Sequence, residues 1–241
     1  EVLIYVALLQ IKMIKKGIIL AGGFGTRLSP LTKSINKQLL PIHDKPMIFY
    51  PLSVMMLANI RNILIIVNPG QIENFKSLLG NGSRYGIDIT YKIQSKPRGL
   101  PDAFNLGKFF IKDHSVALIL GDNFFYGQSL TKILEKSSKH KLGATIFLKE
   151  VDKPENYGVA KIKKNKIDKI VEKPKKFFSN KAITGLYFFD KKVCDYASKL
   201  KPSKRGELEI TDLINKYKKN NKLKYELIGR GAIWSDAGKM E

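Results

Sequence analysis

Two runs of this chain, Ile63-Leu-Ile-Ile-Val67 and Val116-Ala-Leu-Ile-Leu120, are apolar without a break. A strand with one wet face alternates apolar and polar side chains, whereas a strand apolar throughout needs cover on both faces. Further strand-length runs fall at 17–21, 88–93 and 143–149, and segments of helical period separate them near 45–59, 71–79, 99–111 and 128–140. Strand and helix alternating in this way predict an α/β fold: a mostly parallel, Rossmann-like sheet with helices on both faces. Past residue 150 the texture changes. Shorter strands are expected at 157–163, 167–172 and 183–189, helices near 191–199 and 208–219, then strands at 224–228 and 232–235. No linker or internal repeat divides the 241 residues, a length that suits one large domain with an elaborated second half.

The charge invites a different reading. Lys and Arg number 43 against 21 Asp and Glu, a formal net charge of +22. Only Arg27, Arg61, Arg84, Arg98, Arg205 and Arg230 are arginine, the usual bidentate reader of bases. The lysines are spread along the chain, as in Lys161, Lys163, Lys164, Lys166 and Lys169, without the aromatic interleaving of an RNA-binding surface. A solvated, lysine-biased surface is expected, with no nucleic-acid partner. Cys194 is the sole cysteine, which excludes an intramolecular disulfide or Cys-based zinc site and suits a reducing, cytoplasmic setting. No apolar run reaches the length of a membrane span, so no membrane partner is expected.

The ends are unusual. EVLIYVALLQIK opens the chain without a basic leader, and Met13 precedes the first strand-like run. Residues 1–12 read as an extension outside the main domain, 13–241. The stop at Met240-Glu241, directly after Trp234-Ser-Asp-Ala-Gly238, carries no helix-stop signal and reads as a truncation.

The segment Leu20-Ala-Gly-Gly-Phe-Gly-Thr-Arg-Leu28 follows the first strand. A dinucleotide fingerprint begun at Gly23 would need glycine where Leu28 stands, and the Gly-Lys-Ser/Thr of a Walker A loop is absent. What remains is a glycine-rich turn with a threonine and an arginine at a strand's carboxyl end. Such a turn lets backbone N–H groups approach phosphate oxygens while the cation offsets their charge.

That loop is followed by Lys37-Gln-Leu-Leu-Pro41, then by Gly99-Leu100, Gly121-Asp-Asn123, Tyr157-Gly-Val159 and Glu172-Lys-Pro174. Thr184-Gly-Leu-Tyr187, Arg205-Gly-Glu-Leu-Glu-Ile-Thr-Asp212 and Trp234-Ser-Asp-Ala-Gly238 complete the order. In this set the chain resembles the nucleotide-sugar pyrophosphorylases, in particular their thymidylyl-transferring members, across residues 13–241. The resemblance implies the nucleotide-diphospho-sugar transferase fold and the joining of a sugar 1-phosphate to a nucleoside triphosphate, with release of pyrophosphate. The implied substrates are dTTP and glucose 1-phosphate, the cofactor Mg²⁺, and the assembly a homo-oligomer.

Two polyanions must be brought together in such a reaction, so positioning and charge neutralisation carry the chemistry. The matching positions are Arg27, Lys37 and Asp122 for catalysis. Leu20, Gly22, Gly23, Gly25, Thr26 and Arg27 match the triphosphate loop, and Gln38, Gln94 and Gly99 the recognition of the base. Gln side chains pair donor and acceptor, as the imide edge of a pyrimidine requires. Gly158, Glu172, Lys173, Thr184 and Tyr187 match the sugar-phosphate pocket. Asp122 and Asp236 match metal ligands, within the one or two carboxylates that magnesium takes from protein. Departures from the family pattern fall at Ser235, Ala237 and Lys239, and at Pro101, which a helix's first turn tolerates. A uridylyl- or cytidylyltransferase, or a catalytically silent nucleotide-sugar binder, stays open as an alternative.

Overall fold

The computed structural model describes residues 13–23, 25, 28–140 and 142–237. The expected extension at 1–12, and site candidates Thr26 and Arg27, lie outside the described residues. In chain order the first half comprises β1 (Lys16–Ala21), a short hairpin of β2 (Pro41–Ile42) and β3 (Lys45–Pro46), α1 (Phe49–Leu57), β4 (Asn62–Val67), α2 (Ile72–Leu79) and β5 (Asp88–Ile93). It continues through α3 (Asp102–Leu106), α4 (Lys108–Ile111), β6 (Val116–Leu120), β7 (Asn123–Gly127) and α5 (Leu130–Ser138). The second half comprises β8 (Ala144–Glu150), β9 (Gly158–Lys163), β10 (Lys166–Glu172), β11 (Lys181–Phe189), α6 (Val193–Ala197), α7 (Ile210–Lys219), β12 (Leu223–Leu227) and β13 (Ala232–Asp236).

Nine strands form one sheet in the order β10-β9-β11-β6-β1-β4-β5, with β8 on β11 and β12 on β8. β6, β1, β4 and β5 run parallel, as do β8 and β12, while β11 enters antiparallel between β6 and the later strands. The apolar runs are covered on both sides, as their composition requires. Ile63, Ile65 and Val67 of β4 join Ile19 and Ala21 of β1 in a core completed by Leu52 and Met55 of α1, Phe75 of α2 and Leu134 of α5. The alternate residues, Leu64 and Ile66 with Ile18 and Leu20, pack under Phe104 of α3, Val193 of α6, and Leu213, Ile214 and Tyr217 of α7. Burial of side chains this size contributes about 1.5–3 kcal/mol each. Among the described residues no helix is long and apolar enough to cross a membrane.

Three local features depart from the sequence reading. The helix expected from residue 45 begins at Phe49, because Lys45-Pro46 first pairs back onto Pro41-Ile42. The helix expected over 99–111 is broken at Gly107, where a Cβ would come within 2.9 Å of the Ala103 carbonyl and 3.0 Å of Ile18. Asn123–Gly127, given no element in the sequence reading, forms β7, paired antiparallel with β13 as a separate ribbon.

The elements of the second half are tied to one another through a buried carboxylate. Asp190, just past β11, accepts from the backbone N–H of Gly143 (2.8 Å) and Lys192 (3.0 Å) and from the Tyr217 hydroxyl of α7 (2.8 Å). Burial, reinforced by Asp190, pushes the Tyr217 hydroxyl far above the ordinary tyrosine range, so it stays a donor. Tyr217→Phe keeps the ring and deletes one hydrogen bond to a carboxylate. It is expected to cost about 1.5–3 kcal/mol, read as a lower urea midpoint at unchanged slope.

Candidate functional site

Strand register builds the site's floor. Leu20 of β1 lies beside Ile66 of β4 and Leu120 of β6, and Val67 lies beside Ile93 of β5. The residues that follow these strands, Gly22, Asn68, Gln94 and Gly121-Asp122, therefore emerge along one edge. The chain runs from β1 to β4 and β5 on one side, then returns to β6 on the other side of β1. The crevice where the winding reverses is where open α/β sheets bind ligands.

On the β4 side, the glycine loop is held by Asn68. Its amide donates to the Gly23 carbonyl at 3.0 Å and accepts from the Gly23 N–H at 3.1 Å. Gly25 accepts from the Thr32 hydroxyl at 2.8 Å. Gly23, Asn68 and Lys37 share a cleft of about 160 Å³. Gln94 is buried, and its Nε2 donates to Asp102 of α3 at 3.0 Å. A Cβ on Gly22 would come within 3.2 Å of Gln94 Oε1, so this amide oxygen lies against the glycine loop. Gly99 packs flat on the backbone of Leu208 at a φ of +97°, where any Cβ would overlap the Leu208 carbonyl.

Lys37 and Gln38 stand on a single 3₁₀ turn capped by Asn36, whose side chain accepts from the Gln38 N–H at 2.9 Å. Lys37 is 7% exposed, and its Nζ reaches Asp122 Oδ2 at 2.6 Å. Gln38 is 2% exposed, and among the described residues its Oε1 has no hydrogen-bond partner. A buried amide oxygen without a partner costs about 1–3 kcal/mol, a cost a functional position tolerates when a ligand supplies the donor.

Asn123 holds Asp122 in place. Its Nδ2 donates to Asp122 Oδ1 at 3.0 Å, while its Oδ1 accepts from the Gly185 N–H of β11 at 2.9 Å and from Trp234 Nε1 of β13 at 2.6 Å. The β7–β13 register sets Asn123 opposite Asp236, and the Ala237 N–H donates to the Asp122 carbonyl at 3.0 Å. Both expected metal carboxylates thus reach the wall of one cavity of about 480 Å³.

That cavity continues over the antiparallel part of the sheet, where Gly158, Glu172, Lys173 and Tyr187 line it. A Cβ on Gly158 would meet Thr211 Cγ2 at 2.9 Å, so only glycine lets α7 approach β9 this closely. Thr184, expected in the same pocket, is fully buried, is absent from the cavity wall, and has a hydroxyl without a partner among the described residues. Arg205 and Glu209, quoted in the sequence motif but given no role there, also line the cavity. Arg205 binds Glu209 through two hydrogen bonds and approaches Glu172 at 3.5 Å. Burial raises the Glu172 carboxyl above its ordinary range, and Glu209 adds to this against Arg205, Lys173 and the Thr211 hydroxyl. Burial also raises Tyr187, with Glu172 contributing, so its phenol stays protonated. Asn68, Asp102 and Asn123 likewise had no assigned role. Asn68 has a signal in the sequence, its position directly after a core strand, and Asn123 stands in the Gly121-Asp-Asn123 motif, whereas Asp102 opens a helix three residues past Gly99.

The structure therefore gathers Lys37, Asp122 and Asp236 at the reversal point, with the glycine loop, Gln38 and Gln94 on one flank and the Glu172 cavity on the other. This arrangement presents cations and glycine backbone on one side and a polar cavity carrying the Glu172 carboxylate on the other. A match to the nucleotidyl transferase family covers residues 16–241. The chain belongs to that family and is a nucleotidyltransferase. It is 51% identical over 227 residues to a glucose-1-phosphate thymidylyltransferase of Neisseria meningitidis serogroup A, covering 94% of this chain and 79% of the relative. It is 52% identical over 225 residues to the enzyme of that name from Xanthomonas campestris pv. campestris, covering 93% and 76%. Among solved structures, a protein assigned as a glucose-1-phosphate thymidylyltransferase, from Bacillus anthracis in complex with a sucrose, superposes with a TM-score of 0.86 at 42% identity, covering 93% of this chain and 90% of that one. A UDP-glucose pyrophosphorylase complexed with UDP-glucose superposes with a TM-score of 0.80 at 27% identity, over 94% of each chain.

Asn123→Ala strips partners from the Gly185 N–H and the Trp234 indole and releases Asp122. A lost buried pairing costs about 1–3 kcal/mol, so the melting temperature is expected to fall by at least about 2 °C. Turnover should fall as well, and a thermal melt beside a rate assay checks both.

Proposed function

We propose that this chain transfers a thymidylyl group from dTTP to glucose 1-phosphate, yielding dTDP-glucose and pyrophosphate, and that residues 13–241 form its single catalytic domain. The observation that carries this reading is the Lys37–Asp122 pair, 2.6 Å apart, where the glycine loop meets the Glu172 cavity. Two anionic substrates entering from opposite flanks would meet at that pair. The names of the relatives support the choice of base and sugar.

In the reaction, an oxygen of the sugar phosphate attacks the α-phosphorus and forms the new P–O bond. The bond from the α-phosphorus to the α,β-bridging oxygen breaks, and its electron pair leaves with pyrophosphate. Lys37 would offset charge growing on the α-phosphate, while the backbone N–H groups of the loop and Arg27 would hold the β- and γ-phosphates. Gln38 and Gln94 offer amide groups to the base, and Asp102 fixes which way the Gln94 amide faces by accepting from its Nε2. On the other flank, Glu172 would accept from sugar hydroxyls, and Lys173 and Arg205 would hold the sugar phosphate.

The donor set fits a divalent cation of the magnesium type. Asp122 and Asp236 are two hard carboxylates on one cavity wall, and among the described residues no cluster of three or more His, Cys, Asp or Glu could enclose a metal. A site with two carboxylates leaves its other positions to water and phosphate oxygens, as magnesium prefers. Bound there by Asp122 and Asp236, the ion would supply positive charge to offset that of the phosphates.

Two results test the reading. Pyrophosphate release with glucose 1-phosphate and magnesium, compared across dTTP, UTP, CTP and GTP, is expected to give the highest kcat/KM with dTTP. Preference for another base, or no release with any of the four, would overturn it. Separately, Lys37→Ala and Asp122→Asn are each expected to lower kcat by about a hundredfold or more while the circular dichroism spectrum is retained. Turnover within a few-fold of the unaltered chain would remove that residue from the mechanism.

A further inference from the structure

Arg205 is the most exposed member of a chain of ion pairs, and its partner Glu209 the most enclosed. The Arg205 side chain is 43% exposed and that of Glu209 10%. Glu209 takes the side-on edge of the guanidinium, with Oε1 accepting from Nε at 3.1 Å and Oε2 from Nη2 at 2.6 Å. Glu209 is itself fixed by Ser203, whose hydroxyl donates to Oε1 at 2.6 Å and accepts from the Arg205 N–H at 3.1 Å. Glu172 approaches the same nitrogen, Nη2, at 3.5 Å. The Nη1 edge donates to nothing among the described residues, and Arg205 lines the cavity. A guanidinium gripped along one edge is oriented about its remaining donors, which match the fork of a phosphate.

We propose that Glu209 is a positioning residue for the sugar-phosphate half of the site: it holds the Arg205 guanidinium with its Nη1 edge free for a phosphate oxygen and keeps Glu172 from pairing closely with it. Held by Glu209, Arg205 is denied a close ion pair with Glu172, and the Glu172 carboxylate keeps its lone pairs for sugar hydroxyls. Without Glu209 the freed cation would collapse onto Glu172, the nearest carboxylate. Both groups would then be spent on each other. The groups facing Glu172 are Glu209, Arg205, Lys173, the Thr211 hydroxyl and the Tyr187 phenol. Of these, Glu209 disfavours its ionised form among the carboxylates, and Arg205 favours it. Removing the Glu209 charge lifts a repulsion and lets Arg205 come closer, so both changes lower the pH at which Glu172 titrates.

This inference rests on the proposed reaction for its kinetic half and stands apart from it for its spectroscopic half. Glu209→Gln keeps the side chain's size, and Glu209→Asp keeps the charge. In steady-state assays Glu209→Gln is expected to raise KM for glucose 1-phosphate about tenfold, leaving KM for dTTP within about twofold; Glu209→Asp should recover part of the loss. A merely structural role would move both KM values together, or neither, and would overturn the proposal. In parallel, carbon-13 detection of the Glu172 carboxyl across a pH series is expected to give a midpoint lower in Glu209→Gln than in the unaltered chain by about half a unit or more, which corresponds to roughly 0.7 kcal/mol. An unmoved or raised midpoint overturns the positioning role, whichever nucleotide and sugar the enzyme uses. If no transfer is seen with dTTP and glucose 1-phosphate, the proposed reaction fails and the carboxyl titration alone decides the role of Glu209. If Glu209→Gln does not fold, Ser203→Ala, which removes one support of the same carboxylate, is expected to show the same direction of change, and its absence overturns the proposal.

Discussion

The parallel pairing of β1 with β4 on one side and β6 on the other is the constraint on which the site depends. It brings three strand ends level at Ala21, Val67 and Leu120-Gly121, with β5 following at Ile93. Side-chain period is two in a strand, so a slip of one residue would turn Ile18 and Leu20 into the opposite core and move Gly22 and Asp122 out of line. Apolar burial on both faces enforces the register, and the register then delivers the polar residues at the strand ends. The geometry of the candidate site is inherited from packing that has no chemical role of its own.

What the strands deliver, a small polar layer fixes. Asn123 joins β6, β11 and β13 by accepting from Gly185 and Trp234 while donating to Asp122. A Cβ on Gly185 would come within 2.5 Å of the Asn123 oxygen, so the absence of a side chain there is what admits the amide. Asp102 and Asn68 do the same for Gln94 and Gly23. In each case a neutral or capped group with fixed hydrogen-bond directions stands behind a residue meant to face a ligand, which restricts its orientation before any ligand arrives.

The strands of the core were legible because burial on both faces leaves an unbroken apolar run, and the glycine loop because Gly22, Gly23 and Gly25 crowd a strand's end. β7 was not, since Gly121-Asp-Asn-Phe-Phe-Tyr-Gly127 is a short run bounded by glycines; its partner β13 is remote in sequence, and pairing at that range leaves no local pattern. The split of α3 from α4 follows from contact between Gly107 and Ile18, again a tertiary fact. At the site, Lys37, Asp122, Glu172 and Lys173 stand in motifs that single them out. Arg205 and Glu209 stand in an equally visible motif, but what marks them is their ion pair with each other and the approach of Arg205 to Glu172. Composition and spacing give residue types; they do not say which carboxylate holds which cation.

Part of the lysine excess lies where the sheet is open. The sheet ends at β10, and an edge strand exposes backbone groups on which another chain can add. In the β9–β10 ladder Lys163 stands opposite Lys166, and Lys161 opposite Lys169. Like charges set directly opposite destabilise a pair of strands by a few tenths of a kcal/mol or more, up to roughly 1 kcal/mol, so propensity alone would select against them. What the ladder loses in pairing it gains at the edge, because Lys166, Asp168, Lys169 and Glu172 make β10 a charged strand, and charge on an edge strand discourages the addition of another chain. Charge at this edge guards the open sheet, while in the candidate site Lys37 and Arg205 are each held singly against a carboxylate.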